Sequence, residues 1–107
     1  MNHTATGRAQ RQVVLISVKD GKIQVDPAGP FRISKSNQEE VLWQATDPSV
    51  YFTVEFKQSP FYESQFSSDF PASGLVRRSV LPDLQKEYEY TIRTGGAVLD
   101  PGGVITK

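Results

Sequence analysis

The sequence predicts an all-β domain, a Greek-key β-sandwich of about seven strands. Its stretch VYFTVEFK (50–57) sets Tyr51, Thr53 and Glu55 on one face and Phe52, Val54 and Phe56 on the other, the period-2 pattern of a half-buried strand. Turn formers recur roughly every 8–12 residues, the spacing of sandwiches and barrels. The one helix candidate, DLQKEY (83–88), is too short to hold without packing. The 107 residues fit one domain, drawn as 12–107 behind a polar leader, 1–11, that lacks apolar periodicity.

The elements follow in order. QVVLISV (12–18) is apolar and β-branched, and Asp20-Gly21 is a strong hairpin signal turning it into KIQV (22–25). DPAGP (26–30) stops that strand because proline donates nothing to a ladder. FRIS (31–34) points Phe31 and Ile33 inward. EVLWQA (40–45) comes out of the turn formers SKSNQ, and DPS (47–49) closes it before VYFTVEFK. GLVRRSVL (74–81) reads as a weaker strand. EYEYTIRT (87–94) alternates Tyr88, Tyr90 and Ile92 against charged residues and threonine, and GVITK (103–107) is the last strand. Between these two, Gly95-Gly96 and Asp100-Pro101-Gly102 supply turn chemistry. The expected core is Val14, Ile16, Trp43, Phe52, Val54, Phe56, Tyr90 and Ile92, with a hydroxyl of Tyr88 or Tyr90 bonded to a nearby backbone carbonyl.

Composition removes several functions. Twelve Lys plus Arg against 12 Asp plus Glu leave no net charge, so the basic excess that nucleic acid demands is missing and no nucleic-acid partner is expected. With no cysteine there is no disulfide, thiolate metal site or cysteine nucleophile. The longest uncharged apolar run, Val13 to Ile16, falls far short of a bilayer, so no membrane partner is expected. MNHTATGRAQRQ lacks the apolar core of a signal peptide, which makes the expected compartment cytoplasmic. Glu39-Glu40 and the set Glu55, Glu63, Glu87 and Glu89 read as a solvated face with no acid–base pair among them. Asp26, Asp47, Asp69, Asp83 and Asp100 stand singly beside turns, unlike a calcium loop. The single histidine, His3, lies in the leader and leaves the serines without a base. Met1-Asn2-His3 with a free amine is a square-planar nitrogen set for Cu(II) or Ni(II), as is any chain with histidine third. The expectation is a protein that is not an enzyme and uses no cofactor and no metal.

The order of VLWQATD, FTVEF, a long loop, then LQKEYEYTI before a Gly-rich turn and a last strand resembles the cupredoxin-like sandwich; an immunoglobulin-like arrangement is the alternative. The resemblance runs from about Val13 to Lys107 and is carried by Val41, Trp43, Phe56, Tyr88 and Tyr90. It implies a histidine ligand near Phe52, a cysteine at Ile92, and a second histidine and a methionine in RTGGAVLDPGG. None of these is present, so the resemblance implies a copper-ligand-lacking domain.

The loop SPFYESQFSSDFPASG (59–74) holds the candidate binding residues Phe61, Tyr62, Phe66 and Phe70. Aromatic residues on a long loop form a binding face or fold back over the end of the sandwich. A third arrangement buries Phe61 and Phe66 and turns Tyr62 and Phe70 outward. A surface segment must satisfy its own backbone, so at least one of Tyr62, Phe66 and Phe70 is expected to be exposed. The function this points to is a non-catalytic protein-interaction or accessory module; the alternative is a carbohydrate-binding module, which calls for two or three coplanar exposed aromatics. An open sandwich edge makes a homodimer a further expectation.

Overall fold

The computed structural model describes residues 10–107. In chain order its strands are β1 (Gln10–Lys19), β2 (Lys22–Asp26), β3 (Phe31–Ser34), β4 (Glu39–Ala45), β5 (Thr53–Phe56), β6 (Gln65–Ser67), β7 (Tyr90–Thr94), β8 (Ala97–Leu99) and β9 (Gly103–Thr106). The described residues contain no helix, and therefore none long and apolar enough to cross a membrane. The fold is all-β.

Asp20 and Gly21 both take positive φ, 54° and 74°, the turn whose twist suits a two-residue hairpin. It folds β1 back on β2 with Lys19 opposite Lys22 and Ile16 opposite Val25. The other edge of β1 takes β4 in parallel, Val14 opposite Trp43 and Ile16 opposite Ala45, which gives a sheet ordered β2–β1–β4. Residues 71–73 run along the outer edge of β4: Trp43 N–H donates to the Pro71 carbonyl at 3.0 Å and Ser73 N–H to the Val41 carbonyl at 2.8 Å. A second, antiparallel sheet is ordered β6–β5–β7–β8. β3 and β9 pair in parallel, Ile33 opposite Ile105, and an isolated bridge ties Gly103 to Tyr88.

Inward faces of all three sheets meet in one core. The eight residues predicted for it are all there, none more than 4% exposed. Phe56 stacks on Tyr90 with ring centroids 4.8 Å apart, Trp43 on Phe66 at 5.1 Å, and Phe31 meets Trp43 edge-on at 6.4 Å. The Tyr90 hydroxyl bonds no backbone carbonyl; it accepts the Trp43 indole N–H at 3.3 Å. Packing Phe31 this deep requires bare backbone opposite it, since a Cβ on Gly103 would run into its ring.

Five expectations are corrected. Among the described residues nine strands stand where about seven were expected; β6 lies inside the 59–74 loop and β8 fills the turn after Thr94. Residues 74–81 are not a strand: Val76 and Val80 are buried four positions apart, Leu75 and Leu81 face out, and Val80 N–H closes a turn on the Arg77 carbonyl. Arg78, midway between the two buried valines, is exposed, so burial does not alternate along the segment. Gln10 and Arg11 belong to β1 rather than to the leader, because a parallel neighbour supplies their ladder, Gln10 opposite Glu39 and Arg11 opposite Glu40. Glu40 is buried, not solvated; its carboxylate takes the Arg11 guanidinium at 3.2 Å and the Gly74 N–H at 3.1 Å. The strand in VYFTVEFK is also shorter than its pattern, Thr53–Phe56, although Phe52 stays inward and Tyr51 outward.

These contacts set the expected order of stability losses. Phe56→Ala should cost ~3–5 kcal/mol by emptying a site in the middle of the ring cluster. Gly103→Ala should cost about 1–3 kcal/mol by pushing Phe31 aside. Leu81→Ala, at a side chain 78% exposed, should stay within about 0.5 kcal/mol. Denaturant unfolding of the three variants checks the order; a harmless Gly103→Ala would refute the close packing of Phe31 on β9.

Candidate functional site

The 59–74 loop is built as an anchored strap. Ser59 Oγ donates to the Glu63 carbonyl at 2.6 Å and accepts the Phe61 N–H at 3.0 Å, which folds the first turn around itself. Phe61 is buried and bridges to Val76; Phe66, the inward residue of β6, is buried against Trp43. Both belong to the core; Phe66 also forms part of the floor of the groove described below. Tyr62 and Phe70 do the reverse, at 69% and 75% exposed. The Tyr62 hydroxyl accepts the Arg78 N–H at 3.2 Å. Phe70 is held by a reciprocal pair with Ser67, its N–H to the Ser67 carbonyl at 3.0 Å and the Ser67 N–H to its carbonyl at 3.2 Å.

The two exposed rings do not share a surface. Tyr62 lines a hollow of about 260 Å³ with Lys35, Gln38, Leu75 and Arg78. Phe70 lines a larger open groove of about 800 Å³. One wall of that groove is the outward face of β5, β6 and β7: Thr53 opposite Ser67 and Arg93, and Glu55 opposite Gln65. The other wall is Ala72, Ser73 and Gly74, the segment that edges β4. Ser73 is buried and fully used, accepting the Val41 N–H and donating to the Gly74 carbonyl, each at 2.8 Å.

Thr53, Glu55, Gln65 and Arg93 were not among the binding residues expected from the sequence, although Thr53 and Glu55 were read as outward positions of their strand. Glu55 and Arg93 were legible as outward positions of two strands, but nothing local shows that β5 and β7 are neighbours. Gln65 was hidden because a three-residue strand leaves almost no periodicity.

The groove mixes apolar lining, Val54, Phe66, Phe70 and Ala72, with charged side chains that do not cancel one another. Gln65 Nε2 donates to Glu55 Oε2 at 3.1 Å. Glu63 and Arg93 are exposed, and among the described residues neither joins an ion pair. Two groups elsewhere titrate away from their ordinary range. Asp47 is lowered because its carboxylate accepts the Ser49 backbone N–H at 2.9 Å and the Ser49 hydroxyl at 2.8 Å. Burial pushes Tyr90 up to about 12, against a smaller downward pull from the Trp43 hydrogen bond. Neither lines a groove.

Phe52 and Ile92, the positions where the resemblance places a histidine and a cysteine ligand, are apolar core. Among the described residues no three His, Cys, Asp or Glu side chains come together as a metal set. Met1, Asn2 and His3 lie outside the described residues. No known protein family matches the chain, and neither a curated protein nor a solved structure matches it.

The Tyr90 phenol gives a pH test of the core. Folding favours its neutral form, so its contribution is complete below the ordinary tyrosine value of 10.0 and fades as pH rises through about 12. Tyr90→Phe has no proton to lose there, but it strands the Trp43 N–H and should be less stable at neutral pH by about 1–3 kcal/mol. Melting curves of both proteins should therefore converge between pH 10 and 12. A gap that stays constant would contradict a buried, hydrogen-bonded Tyr90 hydroxyl.

Proposed function

We propose that this chain is a non-catalytic protein-interaction module, a Greek-key sandwich of copper-ligand-lacking cupredoxin-like type, whose partner docks in the groove beside Phe70. The observation that carries the reading is Phe70 itself. It is a large apolar ring left in water, yet clamped by the two backbone bonds to Ser67 on a strand whose next inward residue, Phe66, is core. A ring displayed on a fixed base loses little freedom on binding, and that is the condition under which burial converts to affinity. Aromatic and arginine side chains are also the residues enriched at protein interfaces, and Arg93 lines the same groove.

Three features are compatible with this reading of the fold. The inward faces of the three sheets enclose the rings. β4, which bears Val41 and Trp43, lies parallel to β1, and β7 carries Tyr90 from the Tyr88-x-Tyr90 pattern. Apolar side chains occupy both ligand positions that could be tested, 52 and 92. For the chemistry, the groove has carboxylates and a guanidinium but no nucleophile held beside a base, which suits recognition rather than catalysis. The separation of Tyr62 from Phe70 also favours a protein over a sugar, because the two rings do not form one stacking platform.

Two variants test this reading. Phe70→Ala should leave the melting temperature within a few degrees of the parent, since the ring is exposed, and should abolish recovery of the partner from native lysate. Tyr62→Ala, in the separate hollow, should leave that recovery intact. A Phe70→Ala protein that melts far lower, or one that recovers the same partner, would sink the proposal.

A further inference from the structure

The charges of the groove say what kind of partner fits it, an inference that rests on the reading of the groove as a protein-docking site. Arg93 stands opposite Thr53 on β7, and Glu55 follows two residues along β5 on the same outward face. Neighbouring strands lie ~4.8 Å apart and outward residues ~6.7 Å apart along a strand, so the two Cα atoms are separated by about 8 Å. At that separation they are close enough to pair, but no ion pair forms between them. The Glu55 carboxylate is turned to Gln65 across β6, and the Arg93 guanidinium is left with solvent. Glu63, just ahead of β6, adds a second exposed carboxylate to the Glu55 end. Phe70 lies at the other side, joined through Ser67 and Thr53 to the row that ends in Arg93.

The groove is thus polarised: two carboxylates at one end, one guanidinium at the other, and an apolar ring in the Arg93 row. A polyanion such as nucleic acid would meet Glu55 and Glu63 as like charges. A neutral glycan would leave all three charges without a counter-charge. A polypeptide with residues of both signs satisfies every group at once. An extended chain advances ~3.3 Å per residue, so charges two to four positions apart span the distance between Arg93 and Glu55.

We infer that the groove binds an extended peptide segment of the partner, with an acidic residue on Arg93, a basic residue two to four positions away on Glu55 and Glu63, and an apolar side chain on Phe70. The acidic residue would make charge-assisted hydrogen bonds to the guanidinium fork.

The test is an array of short synthetic peptides pairing one Asp with one Lys at graded spacings beside a Leu or Phe. Control peptides carry only Asp, only Lys, or neither, and a glycan array is run in parallel. The mixed-charge peptides should bind best, and Arg93→Glu should weaken them by about tenfold or more. Exchanging the peptide's Asp for Lys should restore binding to Arg93→Glu, a rescue that damage to the fold cannot produce. Binding that ignores peptide charge, or a response to glycans alone, overturns the inference. If Phe70→Ala loses the lysate partner while Arg93→Glu keeps it, the interaction module stands and the polarised peptide reading falls.

Discussion

The contact of Trp43 with Phe66, Phe56 and Tyr90 is the constraint that the other parts of this fold serve. The four rings come from β4, β6, β5 and β7, so one indole joins the two large sheets. A buried indole N–H needs an acceptor, and the Tyr90 hydroxyl supplies it at 3.3 Å. That bond fixes how far β7 can slide against β4. Phe31 then closes the cluster from the β3–β9 pair, and it reaches the rings because Gly103 leaves room over its own backbone. With no cysteine in the chain, ring packing does the work that a crosslink does in many small β-domains.

The same cluster determines what the long loop can display. Phe61 and Phe66 each gain about 1.5–3 kcal/mol from full burial, which offsets much of the cost of ordering the few residues between them. Once Phe66 is pinned, strand alternation leaves Gln65 and Ser67 facing out beside Glu55 and Thr53. The Ser67–Phe70 turn then has only one way to go, and it leaves Phe70 in solvent. The exposed ring is therefore a consequence of the buried ones.

Much of this was legible in the sequence because the signals are local. The Asp20-Gly21 turn and the inward faces of 12–18, 31–34 and 52–56 follow from alternation and turn chemistry, whereas the division of the loop into buried Phe61 and Phe66 and exposed Tyr62 and Phe70 was one of three arrangements its composition left open. What was not legible depends on partners distant in sequence. Gln10 and Arg11 look like leader until Glu39 and Glu40 are set beside them. Glu40 looks solvated until Arg11 and the Gly74 N–H converge on it. β6 and β8 are three residues each, too short for a period to register. The groove itself joins residues from positions 53 to 93, and its pairing of β5 with β7 has no trace in either segment alone.

Net charge illustrates the same limit from the side of function. The chain sums to zero, and from that sum no polyanionic ligand is expected. It says nothing of how the charges are arranged. Register on the β6–β5–β7 face places Arg93 near Glu55 while the Gln65 amide occupies the carboxylate, so opposite charges sit close without cancelling. Because the face is exposed, keeping them apart costs the folded protein little, and an ion pair between them would have contributed little. The balance differs under a bound segment that excludes water, where each charge-assisted bond is stronger and each unpaired charge is a penalty. On the proposed reading, a surface nearly indifferent to its own pairing but demanding of its occupant would discriminate among partners by charge order, a selectivity set by strand register.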